Sequence, residues 1–232
     1  MLECETPEGP KTRLLAQRAF APLGDAGGVC ACCRIPSKYN LIARALAHAA
    51  AILGCCSCAS DEMLGRRELE LMAPVDAESC ATVIRGLLYL QHQDPEAPVT
   101  PYINSPGGEV QNGLALYDVM RAVSCTIRTV CLGVAASMAA LLFIAADERE
   151  VLPHSRIMIH DPLISGGVGG SALSVKARAD DLMRIRDITA SVIARHSGMS
   201  LERVFELTAS DTYFEAKEAV EAGLADRIIT RL

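Results

Sequence analysis

Residues 99–123, VTPYINSPGGEVQNGLALYDVMRAV, change period at a pair of glycines. Val99–Asn104 reads as a strand that runs into Ser105-Pro106-Gly107-Gly108. Glu109–Val123 then reads as a helix, with Leu114, Leu116, Tyr117 and Met120 at apolar positions. Working outward, Glu68–Leu71 is a short strand, and Asp76 is placed to cap a helix that runs to about Gln93. Cys80, Ile84, Leu87 and Leu88 are expected on the buried face of that helix. Downstream, Thr126–Val130 is β-rich, a helix opens near Ser137, and Arg156–Ile159 is a strand. Ser171–His196 is a long helix with a predicted stripe of Leu173, Ala177, Leu182, Ile185, Ile188, Val192 and Ile193. Ser200 caps a short helix, Ala216–Ala222 is a helix closed by Gly223, and Asp226–Thr230 is the last strand. Such alternation predicts an α/β fold of parallel strands joined by right-handed helical crossovers.

Composition agrees with one sizeable α/β domain plus a tail. Of 232 residues, 50% are hydrophobic; there is no Trp and there are four Phe, so the core is aliphatic. A net charge of −6 without any Lys or Arg run argues against nucleic-acid binding. Seven of the ten cysteines fall within the first 58 residues, and Cys80, Cys125 and Cys131 lie among apolar neighbours, a pattern of reduced, buried thiols. The most apolar stretch, Leu41–Cys58, is interrupted by Arg44 and His48, so no membrane span is expected. Composition shifts near residue 60, which divides the chain into an extension, 1–59, and a domain, 60–232.

Three residues have the chemistry of acyl transfer. Ser137 sits among small residues in Gly133-Val134-Ala135-Ala136-Ser137-Met138-Ala139-Ala140, after a β-rich run and at a helix start. Neighbouring N–H groups there suit an oxyanion. Taken alone, however, Ser137 reads more readily as an N-cap. His160 follows the apolar strand 156–159, at the strand's carboxyl end, where side chains reach a cleft; alone it reads as a structural histidine. Asp211 alone reads as a turn residue or a cap. Only together do they supply a nucleophile, a base and a carboxylate that fixes the base's tautomer. Gly107-Gly108 adds backbone able to approach a ligand closely, though such a pair is most often a turn.

Tyr102-Ile103-Asn104-Ser105-Pro106-Gly107-Gly108, Ala135-Ala136-Ser137-Met138-Ala139-Ala140 and Arg156-Ile157-Met158-Ile159-His160, in this order and spacing, resemble the Clp protease proteolytic subunit (ClpP). The tail, Glu218–Asp226, is similar to that family's C-terminal helix and strand, and the resemblance runs from about Ser60 to Arg231. It implies a crotonase-like α/β fold, a spiral of βαβ units with a helix-strand handle. It also implies a serine peptidase whose subunits form stacked heptameric rings, a homo-oligomer fed by a Clp-type AAA+ unfoldase. By that resemblance Ser137 is the nucleophile, His160 the base and Asp211 its orienter, with the N–H groups of Gly108 and Met138 as the oxyanion hole. The helix at 171–196 begins the handle, and Gly166, Gly167, Gly169 and Gly170 precede it where the family pairs a flexible strand with substrate backbone.

The chain departs from the family at several positions. Asp161 stands in place of Gln after the histidine, and could alter the charge around His160; Ser210 replaces the Arg before the aspartate, a ring–ring contact. Thr100 and Ala122 thin the aromatic pockets that dock the ATPase. Residues 1–59 match poorly and read as a propeptide, a targeting segment or a misassigned start. Cys30 with Cys33 and Cys55 with Cys58 have zinc-ligand spacing but no clear partner, so neither metal nor cofactor is expected. A cytoplasmic location is expected, or an organelle if the extension is a transit peptide. The competing readings are a crotonase-type acyl-CoA enzyme and a ring-building subunit without activity.

Overall fold

The computed structural model describes residues 56–232. The sequence also allows a helix at Leu41–Leu53; it and the Cys30–Cys33 and Cys55–Cys58 pairs lie outside these described residues, in whole or in part. In chain order the elements are α1 (Cys56–Gly65), β1 (Glu68–Leu71), α2 (Ala77–Gln93), β2 (Thr100–Ser105), α3 (Val110–Ala122) and β3 (Arg128–Ala136). They continue with α4 (Met138–Ile144), β4 (Glu148–Val151), β5 (Arg156–Ile159), α5 (Ala172–Ser197), α6 (Leu201–Thr208), β6 (Thr212–Glu215), α7 (Ala216–Glu221) and β7 (Arg227–Ile228). The sheet order β1-β2-β3-β4-β7 is parallel throughout.

The long strand β3 organises the molecule because it forks. Arg128–Cys131 pair with β4, whereas Val134–Ala136 pair with β5. The change of partner accompanies a register shift against β2, where Ile103 faces Cys131 but Ser105 faces Ala135. The side chain of Asn104 fills the gap, its Oδ1 accepting from Val134 N at 3.0 Å. Gly133 lies under that amide, and a Cβ there would come within 2.7 Å of Asn104 Oδ1. This bulge bends β3 toward β5, and so aims the chain at Ser137.

Three expectations are corrected. First, β3 extends to Ala136, so residues 133–136 are strand rather than the approach to a helix. Second, β6 runs antiparallel to β5, so the sheet is not wholly parallel, although the connection between the two strands carries both α5 and α6. β4 and β6, four residues each, are too short to stand out by periodicity, and β4, EREV, is mostly charged. Third, two apolar stripes are shifted. In α2 the buried positions are Cys80, Val83, Gly86, Leu87 and Leu90, while Leu88 is exposed. In α5 only Thr189, Ala190, Val192 and Ile193 are buried; Leu173 is 80% exposed and residues 172–181 are all exposed.

The core lies where α4 meets the sheet. All seven residues of α4, MAALLFI, are buried, as an all-apolar helix requires. Asp76 caps α2 through Glu78 N and Ser79 N, as the sequence indicated. Arg67 closes the other end of α2, donating to the carbonyls of Leu90, Asp94 and Ala97. Cys80, Cys125 and Cys131 are free and buried, and burial pushes all three thiols up, away from reactivity.

His196, near the end of α5, provides a pH test of the packing. Its Nε2 lies 3.1 Å from Tyr117 Oη, and the two rings meet edge to face at 5.9 Å. Burial first, then the nearby charges of Arg121, Arg149 and Arg195, hold it below the ordinary value of 6.5. The unfolded chain therefore takes up this proton more readily than the folded one. Its contribution to stability is complete above 6.5 and is lost as pH falls toward the folded value. Thermal melts should give a lower midpoint at pH 5.5 than at 7.5, with a smaller difference in His196→Gln. An equal difference in both proteins would refute this role.

Candidate active site

Ser137 lies at the single residue between β3 and α4, with φ 54° and ψ −122°. A non-glycine residue with positive φ at a strand-to-helix turn is strained by roughly 1–3 kcal/mol. The turn is held because Ser137 N donates to Met158 O at 2.8 Å, one step beyond the β3–β5 ladder. The hydroxyl makes no capping bond to α4. Instead Ser137 Oγ lies 2.8 Å from His160 Nε2, which removes the N-cap reading. On the other side of the ring, His160 Nδ1 is 3.1 Å from Asp211 Oδ1. The three residues named from the sequence thus form one hydrogen-bonded chain.

Their alignment follows from the β5–β6 pair. Ile159 faces Thr212 across the antiparallel ladder, so His160 and Asp211 both emerge from the same end of it. The two ends of the relay differ in exposure: the His160 side chain is 14% exposed, that of Asp211 62%.

The glycine pair lies directly beside the serine. Gly107 has φ 87°, and a Cβ on it would come 2.5 Å from Ala136 O and 2.8 Å from Ser137 Cβ. Gly108 is held by Val75: Val75 N donates to Gly107 O (2.9 Å) and Glu109 N to Val75 O (2.7 Å). The Gly108 N–H therefore faces away from Val75, and like the N–H of Met138 it has no acceptor among the described residues. Met138 is fixed from below, where its side chain packs onto Gly113 of α3, a position at which any Cβ would overlap it. Two unpaired N–H donors next to a serine hydroxyl can stabilise an oxyanion formed there.

Ser137 and His160 open into a cleft of about 510 Å3 whose walls include Pro74, Val75, Val110, Met158, Pro162 and Leu163. Among the described residues no group of three or more His, Cys, Asp or Glu is arranged to hold a metal, and no helix is long and apolar enough to cross a membrane.

Asp161 directs its carboxylate away from the relay. It accepts from Arg186 Nε (2.6 Å) and Thr208 Oγ1 (2.6 Å), so its charge is balanced by Arg186. Sequence reasoning missed Arg186, Thr208 and the Val75 brace. Arg186 looks like one of many solvated charges on α5, and Val75 is simply an apolar residue before a cap.

A comparison with family models matches the Clp protease family over residues 56–232.

Proposed function

Because this chain belongs to the Clp protease family, whose members are peptidases, we propose that it is a serine endopeptidase using Ser137, His160 and Asp211. The carrying observation is the relay Ser137–His160–Asp211 beside the free N–H groups of Gly108 and Met138. The fold is the crotonase-like α/β spiral of that family.

In the proposed mechanism Asp211 accepts a hydrogen bond from the Nδ1–H of His160, which leaves Nε2 unprotonated and able to accept from the Ser137 hydroxyl. Oγ attacks the peptide carbonyl as its proton passes to Nε2, and the N–H groups of Gly108 and Met138 hold the oxyanion. His160 then gives that proton to the leaving amine, and water attacks the acyl-enzyme by the same route. The cleft walls join apolar side chains to the carboxylates of Asp76 and Glu109, a lining that suits a peptide rather than a polyanionic cofactor. An acyl-CoA reading leaves the His160–Asp211 pair without a task.

The larger assembly is part of the same proposal: stacked heptameric rings, an AAA+ unfoldase partner, and unfolded proteins as substrates, in the cytoplasm. The exposed first half of α5, Leu173 above all, supports burial against other copies. Residues 1–59 are proposed as an extension separate from the peptidase domain, 60–232.

Labelling with a fluorophosphonate, followed by peptide mapping, tests the reading. The adduct is expected on Ser137, and labelling should fail in His160→Ala. An adduct on another serine, or none, overturns it.

A further inference from the structure

Asp211 has one hydrogen-bond partner among the described residues, His160, and its side chain is mostly exposed. Its position must therefore be set by its backbone rather than by contacts of its own carboxylate. The β5–β6 ladder ends at Ile159 and Thr212, one residue short of the reacting pair. Beyond that point Thr212 Oγ1 closes the turn locally, donating to Leu207 O (2.6 Å) and Ser210 O (3.3 Å), and Asp161 ties that turn to the His160 side. The Asp161 N–H donates to Thr208 O at 2.7 Å, and its Oδ1 accepts from Thr208 Oγ1 at 2.6 Å. This two-point clasp joins the residue after His160 to the residue three before Asp211. Thr208 is 3% exposed, so water does not replace the bond readily. The second carboxylate oxygen of Asp161 is held by Arg186 Nε at 2.6 Å, and the Arg186 guanidinium stacks on Phe205 of α6 at 4.1 Å. Arg186 thereby fixes the carboxylate orientation and secures α6 from α5.

We propose that Asp161 is a positioning residue: through Thr208 and Arg186 it keeps His160 and Asp211 in register for proton transfer. The inference rests on the peptidase reading above. Asp161 touches neither substrate nor the reacting atoms, so its removal should act on the chemical step and leave binding alone. Misplacement of a catalytic pair by about 1 Å is worth on the order of 10²-fold in rate.

The test compares wild type, Asp161→Ala, Asp161→Asn, Arg186→Met and the double variant Asp161→Ala/Arg186→Met in peptide cleavage, with active sites titrated by fluorophosphonate. Asp161→Ala should lower kcat per titrated site by about 10- to 100-fold with KM unchanged. Asp161→Asn, which keeps an acceptor for Thr208, should recover most of that loss. Arg186→Met should lose less than Asp161→Ala, and the double variant should lose no more than Asp161→Ala, because both changes break one linkage. If Asp161→Ala does not fold, Arg186→Met and Asp161→Asn carry the same comparison. Variants with wild-type kcat per site but lower melting points would make the clasp merely structural and overturn the proposal. A wild type that neither cleaves nor labels would instead remove the peptidase reading, and this inference with it.

Discussion

Ser137→Ala is expected to lower kcat/KM for a fluorogenic peptide by roughly four to six orders of magnitude. At about 1.36 kcal/mol per decade that is roughly 5–8 kcal/mol of lost transition-state stabilisation. The size follows from the position of Oγ, 2.8 Å from His160 Nε2 and next to two open N–H donors. Alanine leaves those donors and the cleft in place, so residual activity is that of binding and oxyanion stabilisation alone. Stability should hardly change, because among the described residues the Ser137 hydroxyl bonds only to His160 and makes no helix cap. The measurement is initial rate against a melting curve for the same preparation. Activity within tenfold of wild type would remove Ser137 as nucleophile.

Asp211→Asn should produce the second large loss, about 10²- to 10³-fold in kcat with KM nearly unchanged. The carboxylate accepts from His160 Nδ1 and so reserves Nε2 as an acceptor for Ser137. An asparagine amide can donate to Nδ1 instead, which puts the ring proton on Nε2, where it blocks the transfer. A buried triad carboxylate is worth about 10⁴ by this change. The smaller figure here reflects the exposure of Asp211, 62% at the side chain, where water can take over part of the role. A kcat within twofold of wild type would show that Asp211 does not orient the histidine.

The sequence carried the site further than it carried the sheet. Ser137, at a helix start, and His160, at a strand end, were legible by position, whereas Asp211, alone a turn residue or a cap, was named only through the family resemblance; the structure brings all three within hydrogen-bond reach. Their neighbours in the glycine pair were legible by position as well. β6 was not, since Thr212–Glu215 is four residues long and its adjacent aromatics, Tyr213 and Phe214, give no alternation. Its antiparallel pairing with β5 is a long-range fact that local periodicity does not encode. The predicted stripe along α5 failed at its first half, where apolar residues such as Leu173 face outward. Periodicity reports that a face is apolar and not what covers it. Asp161 was read as a charge beside His160, because its counter-ion, Arg186, is 25 residues away along the chain.

The backbone angles of Ser137 put function and durability in opposition. Glycine tolerates φ 54° without penalty, so Ser137→Gly would relax the turn while deleting the hydroxyl. A screen that rewarded heat resistance alone would retain such a change and drift toward a sturdier, inert protein. A serine held in so strained a conformation points to chemistry at that position.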